Sequence, residues 1–231
     1  GFSTPLERTG MNWWRTADLW VSLMQESLGY ERFWLSEHHS LATIVGTAPE
    51  ILMAAIAART TRIRIGSAGV MLPHYAALKV AEQFRVLDAL APGRIDLGVG
   101  RSLGFTAPVR DALGVHDYGP EHFARDLEEL TALLAGTAPV TAMPKGVPAP
   151  PLLVLATGSG LAVAARLGLP VVVGGPLVHG DLTPLADYRA AFRPRHPDEL
   201  AQQGKARFDF GNFWFKGQQM GTGQAPIKRY N

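Results

Sequence analysis

A strand–helix–strand pattern between Arg62 and Arg101 constrains the fold more than any other part of the sequence. Two apolar runs, 63–72 and 95–99, are rich in β-branched residues and glycine, and apolar residues recur at helical spacing between them. Neither run alternates apolar and polar residues along its length, so both faces of each strand are expected to be buried, as in a parallel sheet covered by helices. The segment predicts a βαβ unit with ligands bound where its strands end.

The alternation of strand and helix continues along most of the chain. Short apolar runs predict further strands at 30–36, 152–155 and 170–173. Amphipathic stretches predict a helix capped by Thr47 and further helices at 120–135, 161–167 and 184–192. Strand and helix thus alternate at least five times with no hairpin signal, which favours a parallel α/β fold.

Two segments break this alternation. Residues 102–118 show no clear period and are predicted to form a long loop at the functional edge of the fold. From about residue 196 the sequence is rich in aromatic residues, Gly and Gln, and it fits no further βα unit. We therefore divide the chain into an α/β domain at 1–195 and a divergent C-terminal tail at 196–231.

Composition and charge exclude several classes of function. The 231 residues include no cysteine, so a disulfide framework, a thiolate metal site and a cysteine nucleophile are all excluded. The formal net charge is +2 and the basic residues are scattered, which argues against a nucleic-acid-binding protein. No apolar run reaches the roughly 18 residues of a membrane span, and no signal-peptide pattern is visible, so a cytoplasmic protein is expected.

Two adjacent histidines follow the predicted strand at 30–36. His38 and His39 come directly after Glu37, where an imidazole can donate a hydrogen bond to a cofactor or move a proton near neutral pH. The alternative is a pair of polar residues on a surface loop. A metal site is not expected, because adjacent side chains rarely converge on one ion and no third ligand stands at a useful spacing.

A cation and a polar turn together predict an anion site. Arg101 follows the strand at 95–99 and can hold a phosphate with its planar guanidinium group. Thr157, Gly158, Ser159 and Gly160 form a turn that offers backbone N–H groups, two hydroxyls and the positive end of a helix. The two parts meet if their strands are neighbours. The alternatives are a surface arginine and an ordinary capped turn.

Two glycine-containing segments need separate interpretation. The glycines in 98–104 miss the spacing of a dinucleotide-binding fingerprint, so a Rossmann fold is rejected. Ser67, Ala68 and Gly69 interrupt a strand with small residues, which allows a flat ligand to approach the backbone closely. A bulge with no ligand is the competing explanation.

Three strings, LSEHHS at 35–40, RIRIGSAGVMLPHYAALKVAEQF at 62–84 and LAPGRIDLGVGRS at 90–102, occur in this order. Together they resemble the bacterial luciferase-like flavin monooxygenases, over about residues 13–195. The resemblance implies a (β/α)8 TIM-barrel type of fold, here shortened or incomplete. It also implies reduced FMN supplied by a separate flavin reductase, molecular oxygen and a small organic substrate as reactants, and a homodimer.

The same resemblance implies roles for individual residues. The first histidine after the second strand lies by the flavin and assists catalysis in that family, and His38 takes this place. The small-residue strand contacts the isoalloxazine ring through an often cis peptide, which corresponds to Ala68 and Gly69. The arginine after strand four and the turn after strand five hold the phosphate, which corresponds to Arg101 and the Thr157–Gly160 turn.

Other functions remain open at this stage. One is a flavin-binding or assembly protein without turnover, because the exposed strand edges of an incomplete barrel are usually covered by a partner chain. Another is a deazaflavin-dependent oxidoreductase that transfers hydride. The segment at 208–231 is similar to one near the end of medium-chain zinc alcohol dehydrogenases, but their zinc-binding cysteines are missing and no dehydrogenase activity is expected.

Overall fold

A computed structural model of the chain describes residues 31–41, 46–156, 158–173 and 181–195. Within these ranges the strands are β1 (Arg32–Leu35), β2 (Arg64–Ser67), β3 (Val70–Met71), β4 (Ile95–Gly100), β5 (Leu152–Ala156) and β6 (Val171–Val173). The α-helices in the same ranges are α1 (Pro49–Ala57), α2 (Ala77–Leu90), α3 (Ala107–Leu113), α4 (Pro120–Ala135), α5 (Ser159–Arg166) and α6 (Thr183–Ala191). A 3₁₀ turn, Leu72–His74, connects β3 to α2.

The described strands form one parallel sheet. Its order is β1, β2, β4, β5, β6, and the short strand β3 also pairs with β4. The sheet curls into a half-barrel with helices packed against it, and the α/β prediction of a shortened TIM-barrel type is confirmed. All carboxyl ends of these strands therefore lie along one edge, which is where such folds place their functional residues.

Alternate positions along each strand separate two faces of the sheet. On the outer face of β4, Ile95, Leu97 and Val99 are buried in one core with residues of the helices. On the inner face, β4 carries Asp96 and Gly98. The largest fully buried side chains that the helices add to this core are Met53, Val80, Phe84, Phe123, Leu127 and Leu130.

A buried carboxylate joins three strands on the inner face. Asp96 accepts a 3.2 Å hydrogen bond from Arg32 Nε on β1 and a 3.0 Å hydrogen bond from the indole N–H of Trp34. It also pairs with the guanidinium group of Arg64 on β2. Because a buried charge needs such partners, this network holds β1, β2 and β4 in register away from the carboxyl edge.

Two local predictions were wrong. The loop expected at 102–118 contains α3, a helix with Pro108 in its first turn and Gly114 at φ 73° after its last turn. None of its residues is buried, so the apolar period that reveals an amphipathic helix is missing. Thr47 does not cap α1, because the capping position is Ala48, which offers no side-chain hydrogen bond.

Several predictions fall on residues that the structure does not describe. The C-terminal tail at 196–231 lies outside the described residues, so the domain division at 195 stays a prediction.

Among the helices in the described ranges, none combines the length and apolar character needed to cross a membrane.

Candidate functional site

The predicted site residues that the structure describes all follow strand ends or interrupt a strand near the carboxyl edge of the sheet. His38 follows β1, the Ala68–Gly69 pair separates β2 from β3, and Arg101 follows β4. Gly158, Ser159 and Gly160 follow β5, and Thr157 lies outside the described residues. The edge divides into two groups, which we name the anion corner (Arg101 and Ser159) and the histidine corner (Glu37, His38 and His39).

The anion corner is formed by the ends of two paired strands. Strands β4 and β5 are parallel, with Val99 opposite Val154, so the residues that follow them are neighbours. Arg101 Nη2 donates a 2.9 Å hydrogen bond to Ser159 Oγ at the exposed start of α5. The predicted meeting of the arginine with the turn is therefore observed.

Both the space and the charge around the anion corner suit an anion. A Cβ added to Gly158 would meet no atom within 4 Å, so the approach to the turn is open. Tyr118 donates a 2.5 Å hydrogen bond to Asp126, and burial and this bond raise its pKa. The positive charges of Arg101 and Arg125 lower the same pKa, which places both cations within electrostatic reach of the Tyr118 hydroxyl.

The break between β2 and β3 is a β-bulge. Four residue steps separate Gly66 from Val70, but only three separate their partners on β4, Asp96 and Val99. The extra residue interrupts the ladder of backbone hydrogen bonds. The strand is interrupted at Ser67, Ala68 and Gly69, as the sequence predicts, and the contact of these residues with a flat ligand stays a prediction.

Side chains and tight packing hold the bulge in place. Ser67 Oγ donates a 2.7 Å hydrogen bond to the Gly98 carbonyl and accepts a 3.0 Å bond from the Gly98 N–H. The Ala68–Gly69 peptide bond is cis. A Cβ on Gly69 would lie 2.7 Å from the Gly98 carbonyl oxygen, so packing against β4 by itself requires glycine at position 69.

In the histidine corner, His38 packs against an aromatic ring. Its backbone N–H donates a 2.8 Å hydrogen bond to the Gly46 carbonyl. Its imidazole stacks on Phe105 with ring centroids 5.4 Å apart. Burial lowers the pKa of His38, the charge of Glu37 raises it and the charge of His39 lowers it. With burial as the largest cause, the imidazole is neutral near pH 7 and offers one donor and one acceptor.

Glu37 was missed as a functional residue by the sequence analysis. It is 3% exposed, and its two carboxylate oxygens have three partners. Oε2 accepts a 2.7 Å hydrogen bond from the Met71 N–H, and Oε1 accepts a 2.6 Å bond from the Tyr75 hydroxyl. Oε1 also lies 2.8 Å from His39 Nε2. The only sequence signal was a glutamate at the end of an apolar strand.

His74 was also missed. It ends the 3₁₀ turn after β3, and its ring lies edge-on to that of His39 with centroids 6.4 Å apart. Both ring nitrogens are buried. Neither has a hydrogen-bond partner of normal distance and angle among the described residues. Burial lowers the pKa of His74 more than the charge of Glu37 and the backbone of Leu103 raise it. The described residues contain no group of three or more side chains suited to a metal ion.

A family model and several known proteins match most of the chain. The family model described as luciferase-like monooxygenase matches residues 20–201. The N-acetyl-S-alkylcysteine monooxygenase of Bacillus subtilis is 41% identical over 186 residues, which cover 77% of this chain and 55% of that protein. A luciferase-like monooxygenase of Escherichia coli K12 is 38% identical over 75% of this chain and 54% of its own length.

Solved structures give the same result. The structure of apo-MsnO8 is 42% identical, with a TM-score of 0.70 over 80% of this chain and 56% of the other. The FMN complex of the oxygenating constituent of 3,6-diketocamphane monooxygenase from Pseudomonas putida is 19% identical and shares the fold, with a TM-score of 0.62 over 77% of this chain and 57% of that one.

The matches also show how much of each relative the chain spans and where the similarity ends. The chain spans about half the length of the curated relatives it matches. The family model ends at residue 201, and the similarity of residues 208–231 to zinc alcohol dehydrogenases is unsupported.

Proposed function

The chain belongs to the luciferase-like monooxygenase family, and from this premise we propose that it uses reduced FMN and molecular oxygen to oxidise a small organic substrate. The observation that carries the proposal is the 2.9 Å hydrogen bond between Arg101 and Ser159. It joins a cation and a hydroxyl at the carboxyl edge of a half-barrel, on the same edge as His38, whose pKa is lowered by burial, and a break in a strand.

The residues of the anion corner fit the phosphate of FMN. Arg101 supplies a permanent positive charge, Ser159 supplies a hydroxyl, and the turn at Gly158 and Gly160 supplies backbone N–H groups at the start of a helix. Gly158 and Ser159 are exposed and Arg101 is half-buried, so a phosphate reaches their polar groups without displacing core residues. We assign the phosphate to Arg101, Ser159 and this turn, with Thr157 included from the resemblance.

The histidine corner and the bulge fit the ring end of the cofactor. We assign contacts with the isoalloxazine ring to Ala68 and Gly69, because the bulge interrupts the sheet beside the end of β1, where Ala68 donates a hydrogen bond to the Leu35 carbonyl. Reduced FMN, when bound, supplies the two electrons with which one oxygen atom enters the substrate and the other leaves as water. His38 holds or moves a proton there, because its imidazole is neutral.

Water exclusion and assembly complete the proposal. Phe105 is 57% exposed and covers one face of His38, so it presents an apolar surface to a bound substrate.

Reduced FMN is proposed to come from a separate flavin reductase, and the active form is proposed to be a homodimer. Ile51 on α1 and Val86 and Leu90 on α2 are exposed apolar side chains, and we expect the dimer interface to include them.

The decisive experiment follows isotopic oxygen. The protein is mixed with photoreduced FMN, ¹⁸O₂ and an N-acetyl-S-alkylcysteine, the substrate in the name of one relative, or with other small organic compounds. The expected result is a product that contains one ¹⁸O atom. If FMN stays bound through gel filtration but no product forms with a reductase present, the chain is a flavin-binding protein. Preferential binding of reduced deazaflavin would instead indicate hydride transfer.

A further inference from the structure

Glu37 carries a buried negative charge that the proposed oxidation does not use. Its side chain receives hydrogen bonds from β3 through Met71, from the residue after the 3₁₀ turn through Tyr75, and from its own loop through His39. Removing a carboxylate from water is costly unless several donors replace the water. Three partners at 2.6–2.8 Å meet that condition, and they connect the histidine corner to the bulged strand.

The chemistry of the three partners determines where the proton of His39 lies. A carboxylate only accepts hydrogen bonds, and the Met71 backbone N–H only donates. Burial and the hydrogen bond to Glu37 raise the pKa of Tyr75 well above its ordinary value, so this phenol keeps its proton and donates a hydrogen bond. His39 Nε2, at 2.8 Å from the same oxygen, must therefore carry a proton. In the neutral imidazole, Nδ1 is then the proton acceptor.

We propose that Glu37 is a positioning residue with two roles. It fixes the tautomer and ring plane of His39, and it anchors to β3 the loop in which His38 lies. The proposal rests on the proposed function for its catalytic consequence, but its structural part does not require flavin. Glu37 and His39 flank His38 in the chain. Their side chains are hydrogen-bonded to each other, and Glu37 is also bonded to Met71 on β3. The backbone of His38 is itself bonded to Gly46. Glu37 thus determines how His38 leaves the strand.

The substitution Glu37→Gln gives a sharp structural prediction. The amide oxygen of the new side chain can accept from the Met71 N–H, and its NH₂ group then faces the Tyr75 hydroxyl and His39 Nε2. A donor facing Nε2 requires that nitrogen to accept. The proton of His39 is therefore expected to move from Nε2 to Nδ1 in the variant, while all three contacts persist and the protein stays folded.

Long-range ¹H–¹⁵N NMR of the histidine rings tests this without cofactor. The wild-type protein is expected to show neutral His39 protonated at Nε2, and the Glu37→Gln variant to show it protonated at Nδ1. Glu129→Gln makes the same chemical change at an exposed position of α4 and serves as the matched control. A wild-type His39 protonated at Nδ1, or a tautomer that does not change in the Glu37→Gln variant, would overturn the proposal.

Oxygenation assays test the catalytic consequence. Glu37→Gln is expected to lower product formed per reduced FMN by about 10-fold to 10²-fold, because a misplacement of about 1 Å can cost on the order of 10²-fold. FMN affinity and melting temperature should stay near those of Glu129→Gln. Equal product yield in both variants would overturn the positioning role.

Two further results keep the test decisive. If Glu37→Gln does not fold, Tyr75→Phe removes one donor to Glu37 and is expected to lower product yield less, and no loss in that variant would count against the proposal. If the wild-type protein forms no product at all, the proposed function fails. The tautomer measurement then still decides the role of Glu37.

Discussion

The two corners of the candidate site are built in opposite ways. The anion corner is one exposed hydrogen bond between two side chains, Arg101 and Ser159. In the histidine corner, the buried carboxylate of Glu37 gathers donors from three parts of the chain. One corner offers its polar groups to solvent, whereas the other uses most of them internally.

This difference separates binding from positioning. An exposed hydrogen bond or ion pair contributes little to stability, because water competes for both partners, so such groups remain ready for a ligand. A buried network is costly to disturb, because each polar group left without a partner loses its hydration. We therefore expect substitutions in the anion corner to change cofactor affinity and substitutions in the histidine corner to change turnover, coupling or folding.

The largest effect is expected for His38→Ala. If this imidazole holds or moves a proton in the reaction, its loss should reduce product formed per reduced FMN by about 10²-fold or more, as for other acid–base groups. Affinity for oxidised FMN should be nearly unchanged. Product yield and FMN titration on the same preparations measure the two quantities.

A matched control is His116→Ala, because His116 is an exposed histidine that the proposed site does not use. The His38 assignment is wrong if His38→Ala retains full coupled turnover in folded, flavin-saturated protein. A joint loss of melting temperature and FMN affinity would instead indicate a structural role for His38.

The second effect concerns the phosphate. Arg101→Ala is expected to weaken FMN binding by about 10-fold to 10²-fold, because a hydrogen bond to a charged group contributes roughly 1.5–3 kcal/mol. Riboflavin has no phosphate, so its affinity should change much less. Fluorescence titration with both ligands measures the difference.

Ser159→Ala removes the neutral partner of Arg101 and should weaken FMN binding by a smaller factor. The melting temperature of both variants should stay near that of the wild type, since the pair is exposed. Equal losses for FMN and riboflavin would mean that Arg101 does not bind the phosphate.

Most of the fold was predictable because its signals are local. The helices at 120–135 and 159–166 follow apolar periods that a short window reveals, and the strands follow continuous apolar runs. Helix α3 was missed because it buries nothing, although Pro108 and Gly114 mark its two ends. A local signal thus fails where an element does not contribute to the core.

The two corners differ in the same respect. The meeting of Arg101 with Ser159 was predictable because consecutive parallel strands place their ends side by side. The network of Glu37 was not, because Met71 and Tyr75 lie 34 and 38 residues away. The geometry of this network also depends on the bulge between β2 and β3. The register of the bulge is determined by the pairing of both strands with β4. Long-range hydrogen bonds of this kind leave no periodic trace in the sequence.

A third effect separates packing from ligand contact at the bulge. Gly69→Ala is expected to destabilise the protein by about 1–3 kcal/mol, as overpacking does, because the added Cβ would lie 2.7 Å from the Gly98 carbonyl oxygen. Gly100→Ala is the matched control, since its Cβ would meet only Leu155 at an ordinary 3.9 Å. Urea unfolding measures both variants. Equal stability for the two would show that the strands can move apart at the bulge.

The smallest effect is a pH dependence of stability that comes from His38 in the histidine corner and from His74 beside it. Burial lowers the pKa of His38 and of His74 below the ordinary value of 6.5. The folded state therefore binds fewer protons than the unfolded chain as the pH falls below about 6.5, and linkage makes the protein less stable there. The stability from the neutral rings is complete above pH 6.5 and is lost as the pH falls through the folded pKa values.

The free energy of unfolding should decrease between pH 7.5 and 5.5, and less steeply in His38→Asn and His74→Asn than in His116→Asn. Equal slopes in the three variants would show that burial does not keep these rings neutral.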